Sequence, residues 1–196
     1  MADISYDKHG PVRLITINRA DKMNSLDFAA NDELIDIWHE FDRDEQARVA
    51  VITGAGDKSF CAGADLSYLA KLRDFSLTEN EADSQALRRL FDLIYLSPKI
   101  VISQVEGPAL AGGCGLATLA DLCFATPEAT FGYTEVKIGF IPALVMVYLR
   151  EKVGGAVMSD ILLTGRVFGA MEAQSMQLVQ RVVSADEIGD VVLTHA

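Results

Sequence analysis

Three stretches of this sequence carry residues whose types and spacing could do chemistry. They are Ser59-Phe60-Cys61-Ala62-Gly63-Ala64-Asp65, the LAGGCGLA run from Leu110 to Ala117, and the acid that ends Phe131-Gly132-Tyr133-Thr134-Glu135. Glycine lets the main chain turn tightly or come close to a ligand. The LAGGCGLA run could cradle a phosphate, hold an oxyanion, or only let a helix approach a sheet. Both small-residue loops enter helix-like segments, whose first N–H groups have no partner within the helix. Two such loops converging on one oxygen would form an oxyanion hole, which stabilises charge that develops in a transition state. Either loop alone is explained as well by an ordinary strand-to-helix turn.

Glu135 could be a solvated surface acid. Its neighbours Phe131, Tyr133, Val136 and Ile138 favour an apolar setting instead. Burial there would raise its pKa toward the range useful for proton transfer.

Several other chemistries are disfavoured. Gly113-Cys114-Gly115 opens a partial dinucleotide fingerprint, but Thr118 replaces the third glycine, and Glu135 does not end a clear second strand as a ribose-binding acid would. Neither a Walker loop nor a serine elbow is present. His9, His39 and His195 are scattered, and Cys61, Cys114 and Cys123 lack paired spacing, so no metal site is expected and the thiols are expected to be reduced. Cys114 has no accompanying histidine and reads as a packing residue rather than a nucleophile. A formal net charge of -11 without a basic cluster argues against nucleic acid as a partner. Lys22, Lys58 and Arg73 could still supply local positive charge for a small anion.

The elements that must position these residues follow from periodicity. The 196 residues, 50% hydrophobic and 23% charged, suit a single soluble domain with a proper core. Strands are expected over 4–6 and 12–18 about a His9-Gly10-Pro11 turn, over 48–53, 99–105 and 121–125, and over 181–183. Helices are expected from Phe28 to Phe41, after Asp65, over 80–96, 143–153, 156–163 and 170–178, and from a cap at Asp186. The alternation predicts an α/β fold. The stretch from Pro142 to Tyr148 could line a ligand pocket but reads better as core. Asp65 and Asp121 read as caps or backbone anchors. The opening MADISYDKHG lacks a secretory leader, and the apolar run from Gly139 to Leu149 is too short to span a bilayer, so a cytoplasmic protein is expected.

SFCAGADL paired with VEGPALAGGCGLATLADL, followed by ATFGYTEVKIGFIPA and LLTGRVFGAMEA, resembles the crotonase family, the enoyl-CoA hydratases and isomerases. The resemblance runs from the first strands to about Val183. It implies a crotonase-like α/β spiral of repeated strand-strand-helix units, with a C-terminal helical segment missing or short here. It also implies that the backbone amides of Ala64 and Gly112 bind the thioester oxygen of an acyl-CoA. Lys22, Met23 and the loop Ala62, Gly63, Ala64, Asp65, Leu66 and Ser67 would lie along the CoA, with Gly112 and Gly113 on the other side.

By the same resemblance, Glu135 is the acid–base, while Gly115 stands where family hydratases carry a second glutamate. One acid favours double-bond isomerisation over two-acid hydration. No separate cofactor is implied, because coenzyme A belongs to the substrate. A homotrimer or dimer of trimers is implied if the C-terminal segment is present. The alternative from a different class is an acyl-CoA-binding protein with little catalysis.

Overall fold

A computed structural model describes residues 2–196. The chain opens with β1 (Ile4–His9) and β2 (Val12–Ile17), which pair antiparallel with His9 opposite Val12. Gly10, at φ +57°, supplies the left-handed conformation that this tight turn needs. α1 (Phe28–Arg43) follows, then β3 (Val49–Gly54). After the first small-residue loop come α2 (Leu66–Leu72), α3 (Leu77–Tyr95) and β4 (Ile100–Val105). β5 (Ala109–Leu110) leads into α4 (Gly112–Leu119), which is followed by β6 (Leu122–Ala125) and β7 (Thr130–Gly132). The remainder comprises α5 (Ala143–Thr164), β8 (Phe168–Gly169), α6 (Ala170–Ser175), β9 (Arg181–Val182) and α7 (Ile188–His195).

The main sheet has the order β1-β2-β3-β4-β6-β9, parallel from β2 onward. Its central strands β3 and β4 are buried on both faces, as parallel strands usually are, whereas β1 at the edge is mostly exposed. Alternation along β3 sends Ala50 and Ile52 toward α1 and the larger core, and Val49 and Val51 toward α7. The α1 face of Leu34, Ile35, Trp38 and Phe41 fills the first side, and Ile188 and Val192 cover the second. A smaller sheet, β5-β7-β8, stands apart. Among the described residues, no helix is long and apolar enough to cross a membrane.

Several expectations change. α3 begins before residue 80, because Ser76 and Glu79 form a reciprocal capping box. The two helices expected between 143 and 163 are present within α5, separated at Gly154, whose φ of +72° and ψ of 169° are not helical. α6 ends early, and Gln177 at φ +67° turns the chain away. Asp186 does not cap α7; Glu187 occupies that position. Pro142 to Tyr148 is core only in part. Val145 is buried, whereas Met146 is 40% and Val147 65% exposed, because α5 offers one face to the protein and the other to its surface.

Candidate active site

The first loop is held from beneath by Asn24. Its buried side chain accepts from Arg19 N (3.0 Å) and donates to the carbonyls of Ala55 (2.9 Å) and Ser59 (2.7 Å). The buried Arg19 guanidinium reaches Asp3 (2.7 Å) and Asp27 (2.6 Å). Chiefly by that hydrogen bond, Arg19 holds the Asp27 carboxyl down to about 2. Asp27 in turn caps α1 through Ala30 N. Met23 and Asn24 both sit at positive φ, and the asparagine, a residue type that tolerates that region, is the one sign of a special turn in the sequence.

The segment with Lys22 and Met23 is strapped to the loop. Ala62 N donates to Met23 O (3.1 Å), Leu26 N to Gly63 O (2.8 Å) and Asp65 N to Leu26 O (2.8 Å). The structure therefore brings Lys22 and Met23 beside Ala62, Gly63, Ala64 and Asp65. Asp65 caps α2 through Ser67 N and Tyr68 N, as anticipated, so its carboxylate is engaged at the helix start. Asp121 anchors β4 through Val101 N (2.8 Å). Leu66, Ser67 and Lys22 are exposed along the outer side.

The two small-residue loops touch backbone to backbone. Leu110 N donates to Cys61 O (2.9 Å). A Cβ on Gly113 would lie 2.1 Å from that same oxygen, so only glycine fits. Gly63 is at φ +88°, and a Cβ there would lie 2.9 Å from Leu110 O and 3.3 Å from Gly112 N. Between them Ala111 has φ +50° and ψ -126°, a conformation L-residues avoid and that costs on the order of 1–3 kcal/mol. This bend starts α4 and leaves Gly112 at its first position. A Cβ on Gly112 would meet nothing within 4 Å. Among the described residues, no loop carbonyl or side chain accepts from the N–H of Ala64 or of Gly112.

Glu135 is delivered by the small sheet. β5 and β7 pair Leu110 with Gly132, and Ala111 N donates to Gly132 O (2.8 Å). The chain then enters a 3₁₀ turn from Glu135 to Ile138. Glu135 Oε2 is buried without a hydrogen-bond partner, and burial raises the carboxyl pKa. The apolar setting is narrower than expected. Phe131 and Tyr133 are fully buried, but Val136 is 40% and Ile138 62% exposed. Burial pushes the Cys61 and Cys114 thiols up to about 12, so neither is a nucleophile at neutral pH.

Gly115 faces a filled space. A Cβ there would lie 2.7 Å from Val145 Cγ1 and 3.2 Å from Phe91 Cζ. No pattern in the sequence linked these three residues, which come from α4, α5 and α3.

A mostly parallel α/β frame thus carries two glycine-containing loops in backbone contact and a half-buried carboxyl on the segment that follows β7. Residues 7–196 match the family described as enoyl-CoA hydratase/isomerase. A relative from Thermus thermophilus is 42% identical over 173 residues, 88% of this chain and 68% of its own. The crotonyl-CoA hydratase of Syntrophomonas wolfei is 35% identical over 187 residues, 95% of this chain and 71% of its own. The crystal structure of an enoyl-CoA hydratase from Bacillus anthracis superposes with a TM-score of 0.92 at 30% identity, covering 99% of this chain and 75% of that one. The chain belongs to the enoyl-CoA hydratase/isomerase family and has the crotonase fold. It is an enzyme of that family, and the binding-only alternative gives way.

Proposed function

We propose that the enzyme holds an acyl-CoA with its thioester oxygen between the Ala64 and Gly112 N–H groups and moves protons with Glu135. The observation that carries this reading is the backbone contact of two loops whose Ala64 and Gly112 N–H groups are unpaired, joined through the β5–β7 pairing to the segment of Glu135, whose Oε2 is buried without a partner. The Glu135 carboxylate removes a proton from C2 of a 3-enoyl thioester, and the electron pair left at C2 delocalises through C1 onto the thioester oxygen and, through the C3–C4 double bond, onto C4. The two N–H donors stabilise that oxyanion, each contributing roughly 2.7–4 kcal/mol. The protonated Glu135 then delivers the same proton to C4, leaving a 2-enoyl thioester and the original carboxylate. Nothing else is consumed, and coenzyme A enters only as part of the substrate.

Isomerisation is favoured over two-acid hydration because Val145 and Phe91 fill the space beside Gly115, where a second acid would stand. The CoA lies along Lys22, Met23 and the backbone of Ala62, Gly63, Ala64, Asp65, Leu66 and Ser67, with Gly112 opposite. Gly113 serves by letting α4 press against Cys61. Assays of 3-enoyl-CoA isomerisation and 2-enoyl-CoA hydration beside Glu135→Gln test the reading. A loss of roughly 10²–10⁴-fold is expected from removing a general acid–base, and unchanged turnover overturns it.

A homotrimer or dimer of trimers is proposed on the family likeness, with exposed Phe140, Ile141 and Val147 available to be covered. Light scattering after size-exclusion chromatography decides it, and a monomer refutes it. A cytoplasmic location is proposed on the three free cysteines. Cell fractionation checks that location.

A further inference from the structure

Tyr133 is fully buried, and its hydroxyl lies 2.7 Å from Thr118 Oγ1. Thr118 Oγ1 is also 2.9 Å from the Cys114 carbonyl oxygen and 3.3 Å from that of Gly115. A threonine hydroxyl carries one proton and carbonyls only accept. Thr118 therefore donates into α4, and Tyr133 donates to Thr118. The Cys114 thiol borders the same tyrosine hydroxyl. This polar knot ties α4, whose first residue is Gly112, to the segment that follows β7.

The consequence falls on Glu135, two residues beyond Tyr133. Its Oε2 has no partner, and the hydrogen bond that the carboxyl does receive comes from its own backbone N–H rather than from a neighbouring side chain. Its place relative to Gly112 rests on the main chain from 132 to 135. That stretch is pinned at one end by Ala111 N on Gly132 O (2.8 Å), and at the other by Lys137 N on Thr134 O (3.0 Å) and Phe140 N on Glu135 O (3.0 Å). Between those pins, the Tyr133 hydroxyl is the side-chain tie to α4. We infer that Tyr133 and Thr118 are positioning residues that fix Glu135 against the first turn of α4, an inference that rests on Glu135 being the acid–base. The titratable side chains whose charge bears on it, Cys114 and Tyr133, both stay protonated near neutrality because burial raises them.

The full chain carrying Tyr133→Phe, Thr118→Val, Thr118→Ser, the Tyr133→Phe/Thr118→Val pair or Glu135→Gln is assayed with crotonyl-CoA and 3-hexenoyl-CoA across pH. Tyr133→Phe and Thr118→Val are each expected to lower kcat about 10- to 100-fold, with KM within about twofold, the scale of a small misplacement of a reacting group. The pair should lose no more than the worse single variant, because both break one network. Thr118→Ser keeps the hydroxyl and should stay near wild type. In Tyr133→Phe the acid limb of the kcat profile should move to lower pH as Glu135 gains water. Unchanged kcat, losses that multiply, or an effect confined to KM overturn the proposal. If Tyr133→Phe does not fold, the contrast between Thr118→Val and Thr118→Ser decides it. Full activity in Glu135→Gln overturns both this inference and the acid–base reading. An inactive Glu135→Gln beside unaffected Tyr133 and Thr118 variants overturns the positioning role alone.

Discussion

Val145 Cγ1 lies 2.7 Å from where the Cβ of any side chain at Gly115 would begin. The contact joins α5 to α4 on the inner side of the site, with Phe91 of α3 completing the plug. Overpacking a formed core costs about 1–3 kcal/mol. Gly115→Ala is therefore expected to destabilise the protein, despite alanine's helix propensity advantage of about 1 kcal/mol. Val145→Ala should relieve much of the clash, giving a non-additive double-mutant cycle by denaturant unfolding. Additive costs would show that the two positions do not meet.

Gly113 offers a sharper contrast. Its missing Cβ would fall 2.1 Å from the Cys61 carbonyl oxygen, which is backbone and cannot rotate aside as a side chain can. Gly113→Ala should separate the two loops, so activity falls by more than about 100-fold, as reacting groups are displaced by about 1 Å. It should also lose more stability than Gly115→Ala. A stable and active Gly113→Ala variant would refute the close backbone approach.

Glu135 carries a pH signature. Its folded-state pKa is raised by burial, so in the window between the ordinary glutamate value and that raised value the folded protein binds more protons than the unfolded one. Stability from this group then falls as pH rises through the window. Glu135→Gln should accordingly be more stable than wild type at neutral pH and lose that advantage in acid. Paired thermal melts at pH 4 and pH 7 check the sign. The acid limb of kcat/KM in the wild type should lie above the ordinary glutamate range.

Asp27 works in the opposite direction. Arg19 holds its carboxyl at about 2, against an ordinary value of 3.8. It contributes stability that is fully present above the ordinary value and lost as pH falls toward 2. Asp27→Asn should cost about 1–3 kcal/mol at neutral pH, the scale of losing a charge-assisted hydrogen bond at a buried group. Because Arg19 and Asn24 brace the loop before Ala62, KM for the acyl-CoA should rise as well. Equal stability at pH 7 would show that Asp3 alone satisfies Arg19.

Much of the site was legible because it is written in local chemistry. Glycine and alanine at a strand-to-helix junction point to close backbone approach, and Asp65 before a helix points to a cap. The small sheet was not legible. β5 and β8 are two residues long, too short for periodicity to register, yet β5 and β7 set the register that brings Gly132 beside Leu110. Val136 and Ile138 misled for a related reason, since a 3₁₀ turn does not send apolar residues to one side as a strand would.

Residue order and type were enough for the α/β alternation, the family likeness, the two small-residue loops and the candidate acid. All of these depend on interactions within a few positions along the chain or on motifs read in order. Folding settled which orphan N–H groups stay free, how deeply Glu135 is buried, and what fills the space beside Gly115. Those properties belong to contacts such as Phe91 and Val145 on Gly115, or Tyr133 on Thr118, between elements distant in the chain. They exist only once the helices have packed.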